Sequence, residues 1–265
     1  MIMDSSWKGL PLSDMLIIDA HAHMGPWYNF PIYGDSSARG MVKLMDRMGV
    51  DKCICSAHLS IGPDYREGNE IIYQAMKEFP ARILGYCVVN PHYPEEMIPE
   101  LEKRFLQGFS GIKLHPMMHQ YKVSEKNYQP VWEFAQEHRV PLLSHTCLDD
   151  SFCKHGLFSD LAKNYPAVPI LLGHSGAGLV RGYKEAMEVA RKYDNVYLEI
   201  CYSTFSQRWL VQMVNKAGED KIIFGTDFPF VDPRYTFGRV IFSHLSDRIK
   251  EKILGLNIKR ILRKK

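Results

Sequence analysis

Several absences narrow the field before any motif is read. No apolar run in the 265 residues approaches the roughly 18 needed for a membrane-spanning helix. The segment from Met1 to Leu12 carries Asp4, Lys8 and Pro11 and lacks the apolar stretch of a signal peptide, so a cytoplasmic location and no membrane partner are expected. There is no charge excess: 33 Lys and Arg against 30 Asp and Glu leave +3, far from the basic footprint of a nucleic-acid binder. The one basic cluster, Lys259, Arg260, Arg263, Lys264 and Lys265, suits a last helical turn opposing its dipole. Six cysteines include no CxxC pair. A chain with this much core does not need disulfides, so reduced and mostly buried thiols are expected.

What is present is an alternation. Short runs rich in Ile, Val, Leu and Cys occur at Leu16–His23, Lys52–Ala57, Ile83–Asn90, Gly111–Pro116, Pro141–Thr146, Pro169–Ser175, Val196–Tyr202 and Lys221–Phe228. Each is too short for a helix and reads as a buried parallel strand. Between them, Ser37–Met48, Asn69–Phe79, Tyr128–His138, Val180–Tyr193 and Ser206–Asn215 place apolar residues at helical spacing. Ser246 is the candidate cap for a terminal helical stretch reaching Arg263. Eight such units over residues 1–265 predict one α/β domain, a (β/α)8 TIM barrel with a C-terminal helical extension. A doubly wound sheet is the alternative, but it asks for a glycine-rich phosphate loop after the first strand. That strand ends instead in Asp19-Ala20-His21-Ala22-His23.

Polar residues gather where the strands finish, which in a barrel is the active-site face. They are His21 and His23, His58, Lys113 and His115, His145, His174 and Asp227. Strict alternation sends His21 and His23, with Asp19 one step deeper, to one side of the first strand. Two neighbouring imidazoles form half of a zinc site. His145 and Asp227 are the candidates to complete it, giving three imidazoles and one carboxylate for zinc or another divalent first-row ion. Asp19 is expected to orient a ligand. On the loops, the aromatic segment 25–33 with Trp27 and Tyr28, together with His58, His119, Arg181, Tyr202 and Arg234, are candidate substrate contacts. The cations Lys113, Arg181 and Arg234 hint at a carboxylate-bearing small molecule.

These segments resemble the amidohydrolase superfamily, in its amidohydrolase-related branch of hydrolases, lactonases and nonoxidative decarboxylases. The matching pieces are Asp19-Ala20-His21-Ala22-His23, Gly111-Ile112-Lys113-Leu114-His115-Pro116, Leu143-Ser144-His145-Thr146, Leu172-Gly173-His174-Ser175-Gly176 and Phe224-Gly225-Thr226-Asp227-Phe228-Pro229, with the terminal helix, spanning residues 16 to 262. The resemblance implies that His21, His23, His145 and Asp227 bind one divalent ion, most simply Zn2+ with Mn2+ possible. It implies that His174 contacts the bound water or substrate, or a second ion, and that Asp227 moves a proton. Lys113 would keep its charge beside His115, or be carbamylated to bridge two metals. The activity expected first is hydrolysis of an amide, lactone or ester. Decarboxylation on the same ligands is the alternative, and a non-catalytic metal-binding barrel a third reading. Relatives of this kind often pair as homodimers.

Overall fold

The computed structural model describes residues 2–10, 12, 14–28, 31–32, 34–175, 180–201 and 206–263. Its centre is an eight-stranded parallel sheet in which every strand bonds to the next in chain order. The strands are β1 (Ile18–Met24), β2 (Lys52–Ala57), β3 (Ile83–Val88), β4 (Gly111–Leu114), β5 (Leu142–His145), β6 (Ile170–Gly173), β7 (Val196–Glu199) and β8 (Ile222–Ile223). The ring closes between the end of β8 and β1. Ala20 N donates to Phe224 O (3.0 Å), His23 N donates to Phe228 O (2.8 Å), and Ala22 bridges Phe228. This is a (β/α)8 barrel, the architecture that eight buried runs separated by helical segments predict.

The helices form where local chemistry favours them. Ala38–Met48 begins at Ser37, whose hydroxyl accepts from Gly40 N, and stops at Gly49, whose φ of 69° is easily reached without a side chain. It buries Met41, Val42 and Met45 against the barrel. The helix Pro94–Leu106 has no counterpart among the predicted segments. Pro99 inside it removes a backbone donor and disguises the pattern, while buried Met97 and Leu101 anchor its inner face. Ser246 does cap the terminal stretch, accepting from Ile249 N. That stretch contains a π-helical segment at Lys252–Leu256, and Ile253 O accepts from Phe224 N (3.1 Å). The wider turn thus takes over a bond that would otherwise extend β8. Gly255 is required at this approach, because a Cβ there would fall on the Leu16 carbonyl.

Two apolar layers result. One lies between strands and helices and includes Trp132, Leu101, Phe158 and Leu210. The other fills the barrel itself with Ile18, Ala20, Ile54, Tyr86, Leu143, Leu171, Tyr197 and Ile223, and is sealed from below by Ile258 and Ile261 of the terminal helix Asn257–Leu262. Alternation then sets the next level up. Two residues beyond this plug stand Ser56, His145, Gly173, Glu199 and Gly225. Buried hydrophobics hold the barrel below, and polar groups line it above. No described helix is long and apolar enough to cross a membrane. All six cysteines are free thiols, and five are buried.

Candidate active site

β1 does not follow strict alternation. Its register against β2 shifts between Asp19 and Ala22, which lets Ile18 and Ala20 face the apolar plug while His21 and His23 turn to the mouth. The expectation that Asp19 shares their side and supports a ligand ring is therefore corrected. Asp19 bonds to Thr226 N (3.1 Å), Thr226 Oγ1 (2.5 Å) and His21 N (3.0 Å). It ties β1 to the end of β8 through backbone and hydroxyl donors. Burial pushes its carboxyl up to about 7, against the lowering effect of the Thr226 and His21 bonds.

The side chain that holds His21 is Glu199, at the end of β7. Its Oε2 lies 2.8 Å from His21 Nδ1 and accepts from His174 N (3.2 Å), while Oε1 accepts from Cys201 N (2.7 Å). A carboxylate already accepting two backbone bonds accepts the third, so the proton sits on His21 Nδ1 and Nε2 keeps its lone pair. Glycine at 225 makes room: a Cβ there would fall on Glu199 Oε1 and lie 2.8 Å from His21 Cβ. Sequence reasoning passed over Glu199. The signal was a lone acid in the buried run Val196-Tyr197-Leu198-Glu199-Ile200, where an unpaired charge would be costly.

His21 Nε2, His23 Nε2 and Asp227 Oδ1 converge. Asp227 Oδ1 lies 3.2 Å from His23 Nε2 and 3.7 Å from His21 Nε2, and the three donors all fall within 4.8 Å of one another. Behind His23, Ser56 Oγ lies 3.1 Å from Nδ1, as the pairing of β1 with β2 places it. Two imidazoles backed by a carboxylate and a hydroxyl, facing one carboxylate, fit a divalent cation by donor chemistry. Asp227 and His174 both take positive φ (64° and 67°), a conformation uncommon outside glycine that recurs at functional sites.

The remaining imidazoles line the same cavity, of about 300 Å³, with Trp27, His58, Ile61, Lys113, Met117, Met118 and Phe230. His145 Nδ1 bonds His174 Nε2 (2.9 Å), and His145 stacks on His115 with ring centres 4.1 Å apart. His145 thus stands in the cavity wall, outside the three-donor cluster. His174 Nδ1 and His21 Nδ1 also lie 3.2 Å and 3.0 Å from Cys201 Sγ. Lys113 is fully buried, with Nζ 2.7 Å from His21 Nε2. Burial pushes its ammonium down, opposed by Asp227, Cys201 and Glu199. Burial likewise pushes His21, His115, His145 and His174 down, and His58 to about 3. Neutral rings are the form that ligates metal or exchanges neutral hydrogen bonds. For Asp227 burial acts to raise the pKa, but the His23 hydrogen bond and the neighbouring imidazoles hold it well below the usual carboxylate range.

Of the loop candidates, Trp27 and His58 reach the cavity, whereas Tyr28 is 70% exposed. Arg181 and Arg234 are not brought there. Their side chains are 74% and 80% exposed and pair with Glu185 and Asp232, close along the chain, where a long side chain stays solvated at little cost. His119 is buried behind the wall with Nδ1 2.8 Å from Tyr128 Oη. Tyr202 lies outside the described residues.

Fold and site together define an enzyme family of metal-dependent barrels. The amidohydrolase model (Amidohydro_2) matches residues 18–264, and the chain belongs to that family. Among proteins similar in sequence is gamma-resorcylate decarboxylase of Polaromonas sp. strain JS666, 24% identical, with 71% of this chain and 76% of that one covered. Another is 2-amino-3-carboxymuconate-6-semialdehyde decarboxylase of Dictyostelium discoideum, 22% identical, with 71% of this chain and 63% of that one covered. A similar solved structure is a dihydroxybenzoic acid decarboxylase from Polaromonas sp. JS666 with bound manganese and the inhibitor 2-nitroresorcinol. It has a TM-score of 0.74, 18% identity, and coverage of 94% of this chain and 97% of that one. These relatives overturn the expectation of hydrolysis. The ligand set is common to both chemistries and does not separate them; the relatives named are decarboxylases, which break carbon–carbon bonds.

Proposed function

We propose that the protein is a metal-dependent nonoxidative decarboxylase of a small aromatic or unsaturated carboxylate. The observation that carries this reading is the convergence of His21, His23 and Asp227 in a cavity of about 300 Å³ that Trp27, Ile61, Met117, Met118 and Phe230 also line. A flat ring suits those apolar side chains, and its carboxylate suits the polar cluster. One divalent ion on His21, His23 and Asp227, with His145 able to approach from the wall, would supply a Lewis acid for the carboxylate and a neighbouring oxygen. Manganese in the Polaromonas neighbour supports manganese as a candidate beside zinc.

The chain's own residues do the rest. Asp227, held as a carboxylate before substrate enters, takes up a proton from solvent on substrate binding and delivers it to the ring carbon bearing the carboxylate. The carbon–carbon bond then breaks, its electron pair returns to the ring, and carbon dioxide leaves. His174, bonded to His145, orients the substrate beside Asp227. Lys113 balances negative charge from beneath. The apolar wall excludes water, so that protonation goes to carbon.

The test is carbon dioxide release by protein loaded with Mn2+ or Zn2+, from hydroxybenzoates including 2,6-dihydroxybenzoate, against acid release from lactones, esters and amides. Turnover of at least one carboxylate is expected, with Asp227→Asn folded, still substrate-binding and at least 100-fold slower, within the span of lost acid–base catalysis. Hydrolysis without decarboxylation, or wild-type turnover by Asp227→Asn, refutes the proposal.

A further inference from the structure

His58 is the first residue after β2, is 3% exposed, and shares the cavity with the metal-binding cluster. Its ring stacks on His23 with centres 4.8 Å apart at 20°, and leans on Trp27 (5.2 Å) and Phe230 (6.4 Å). Its Nδ1 lies 2.8 Å from Gly25 O. A carbonyl oxygen only accepts, so Nδ1 carries the hydrogen. Enclosed among rings and paired with no carboxylate among the described residues, the imidazole is neutral and has one N–H to give. Its Nε2 is therefore a bare acceptor. That atom has no hydrogen-bond partner among the described residues and is not a sealed buried orphan of the kind that His155 Nδ1 is, so it opens on the cavity. His115 is the counterpart. Its Nδ1 accepts from Met118 N (3.4 Å), which leaves Nε2–H as a donor. The cavity also lacks arginine among its described lining residues, and its one lysine is bonded to His21.

We propose that His58 determines substrate choice by accepting, at Nε2, a hydrogen bond from a hydroxyl on the substrate ring, so that the site takes phenolic monocarboxylates in preference to their O-methyl ethers. This rests on the decarboxylase reading for the identity of the substrate, but not for the acceptor itself. A methyl ether offers no donor to Nε2 and adds bulk between His58 and Phe230. The short helix His58–Ile61 and the stacking on His23 hold the ring, so the acceptor is in place before substrate arrives.

The experiment measures binding of two unreactive probes, 2-nitroresorcinol and its dimethyl ether, by calorimetry on Mn2+-loaded wild type, His58→Phe and His58→Gln, with metal content measured in each. Wild type is expected to prefer the phenol. In His58→Phe the phenol weakens about tenfold more than the ether, the worth of one hydrogen bond. In His58→Gln, whose amide oxygen can accept, part of the preference returns. Equal weakening of both probes, an unchanged preference in His58→Phe, or no preference in wild type overturns the proposal. If His58→Phe fails to fold, His58→Leu, which likewise cannot accept, takes its place, an unchanged preference being the adverse result. Selective loss without carbon dioxide release from any hydroxybenzoate would sink the decarboxylase reading and leave the acceptor standing. Turnover with unchanged preference in His58→Phe would do the reverse.

Discussion

Replacing Glu199 by Gln exchanges one oxygen for an NH2 group, and the structure says what that must break. Oε1 accepts from Cys201 N, while Oε2 accepts from His174 N and faces His21 Nδ1. With the glutamine NH2 towards Cys201, two donors oppose each other. With it towards His21, the NH2 opposes His174 N and forces His21 into the tautomer whose Nε2 carries the hydrogen and cannot ligate. Either way one buried bond is lost, at a cost of about 1–3 kcal/mol in stability. Divalent-ion affinity should fall about 10- to 100-fold, as it does when the group behind a ligating histidine is removed. That is about 1.4–2.8 kcal/mol of binding. The assay is competition between a chelator and the protein for Mn2+ or Zn2+, followed by elemental analysis, with circular dichroism to verify the fold. His21→Ala should lose more than Glu199→Gln. A Glu199→Gln variant with wild-type ion affinity would show that the carboxylate does not set the His21 tautomer, and the assignment of His21 Nε2 as a ligand would go with it.

The other expectations concern packing and pH. Thr146 Oγ1 donates to Gly173 O (2.6 Å), so it accepts from His155 Nε2–H (3.1 Å), which leaves Nδ1 bare and buried without a partner. Burial pushes His155 down to about 4 from an ordinary 6.5, so the folded state resists the proton that the unfolded chain accepts. Its contribution is complete above pH 6.5 and is lost progressively as pH falls to about 4, the loss amounting to about 2 kcal/mol at pH 5. Urea melts of wild type and His155→Asn at pH 7.5 and 5 should show the variant less acid-sensitive; equal sensitivity would refute the point. Gly225→Ala places a methyl on the Glu199 carboxylate and should cost roughly 1–3 kcal/mol along with ion affinity, checked by thermal melts and metal content. A neutral outcome at Gly225 would mean that Glu199 has room to move.

What the sequence alone determined is the ring of strands and the identity of the groups at its mouth. Short apolar runs such as Pro169–Ser175 and Lys221–Phe228 leave few alternatives to buried parallel strands, because both faces must be covered. Residues at the ends of those runs, His21, His23 and Asp227, meet because a closed barrel gathers all its strand ends on one face. Tertiary structure decided the finer questions. A register shift in β1 turned the Asp19 carboxylate away from the imidazoles of His21 and His23, and no local pattern announces such a shift. Glu199 became the partner of His21 because ring closure brings β7 within one strand, β8, of β1, a neighbourhood separated by 178 residues in the chain. Arg181 and Arg234 left the cavity because each found an acid close by along the chain. Periodicity reports which face a side chain takes. Which atom it meets depends on strand register and on contacts across the ring, and those exist only once the chain has closed on itself.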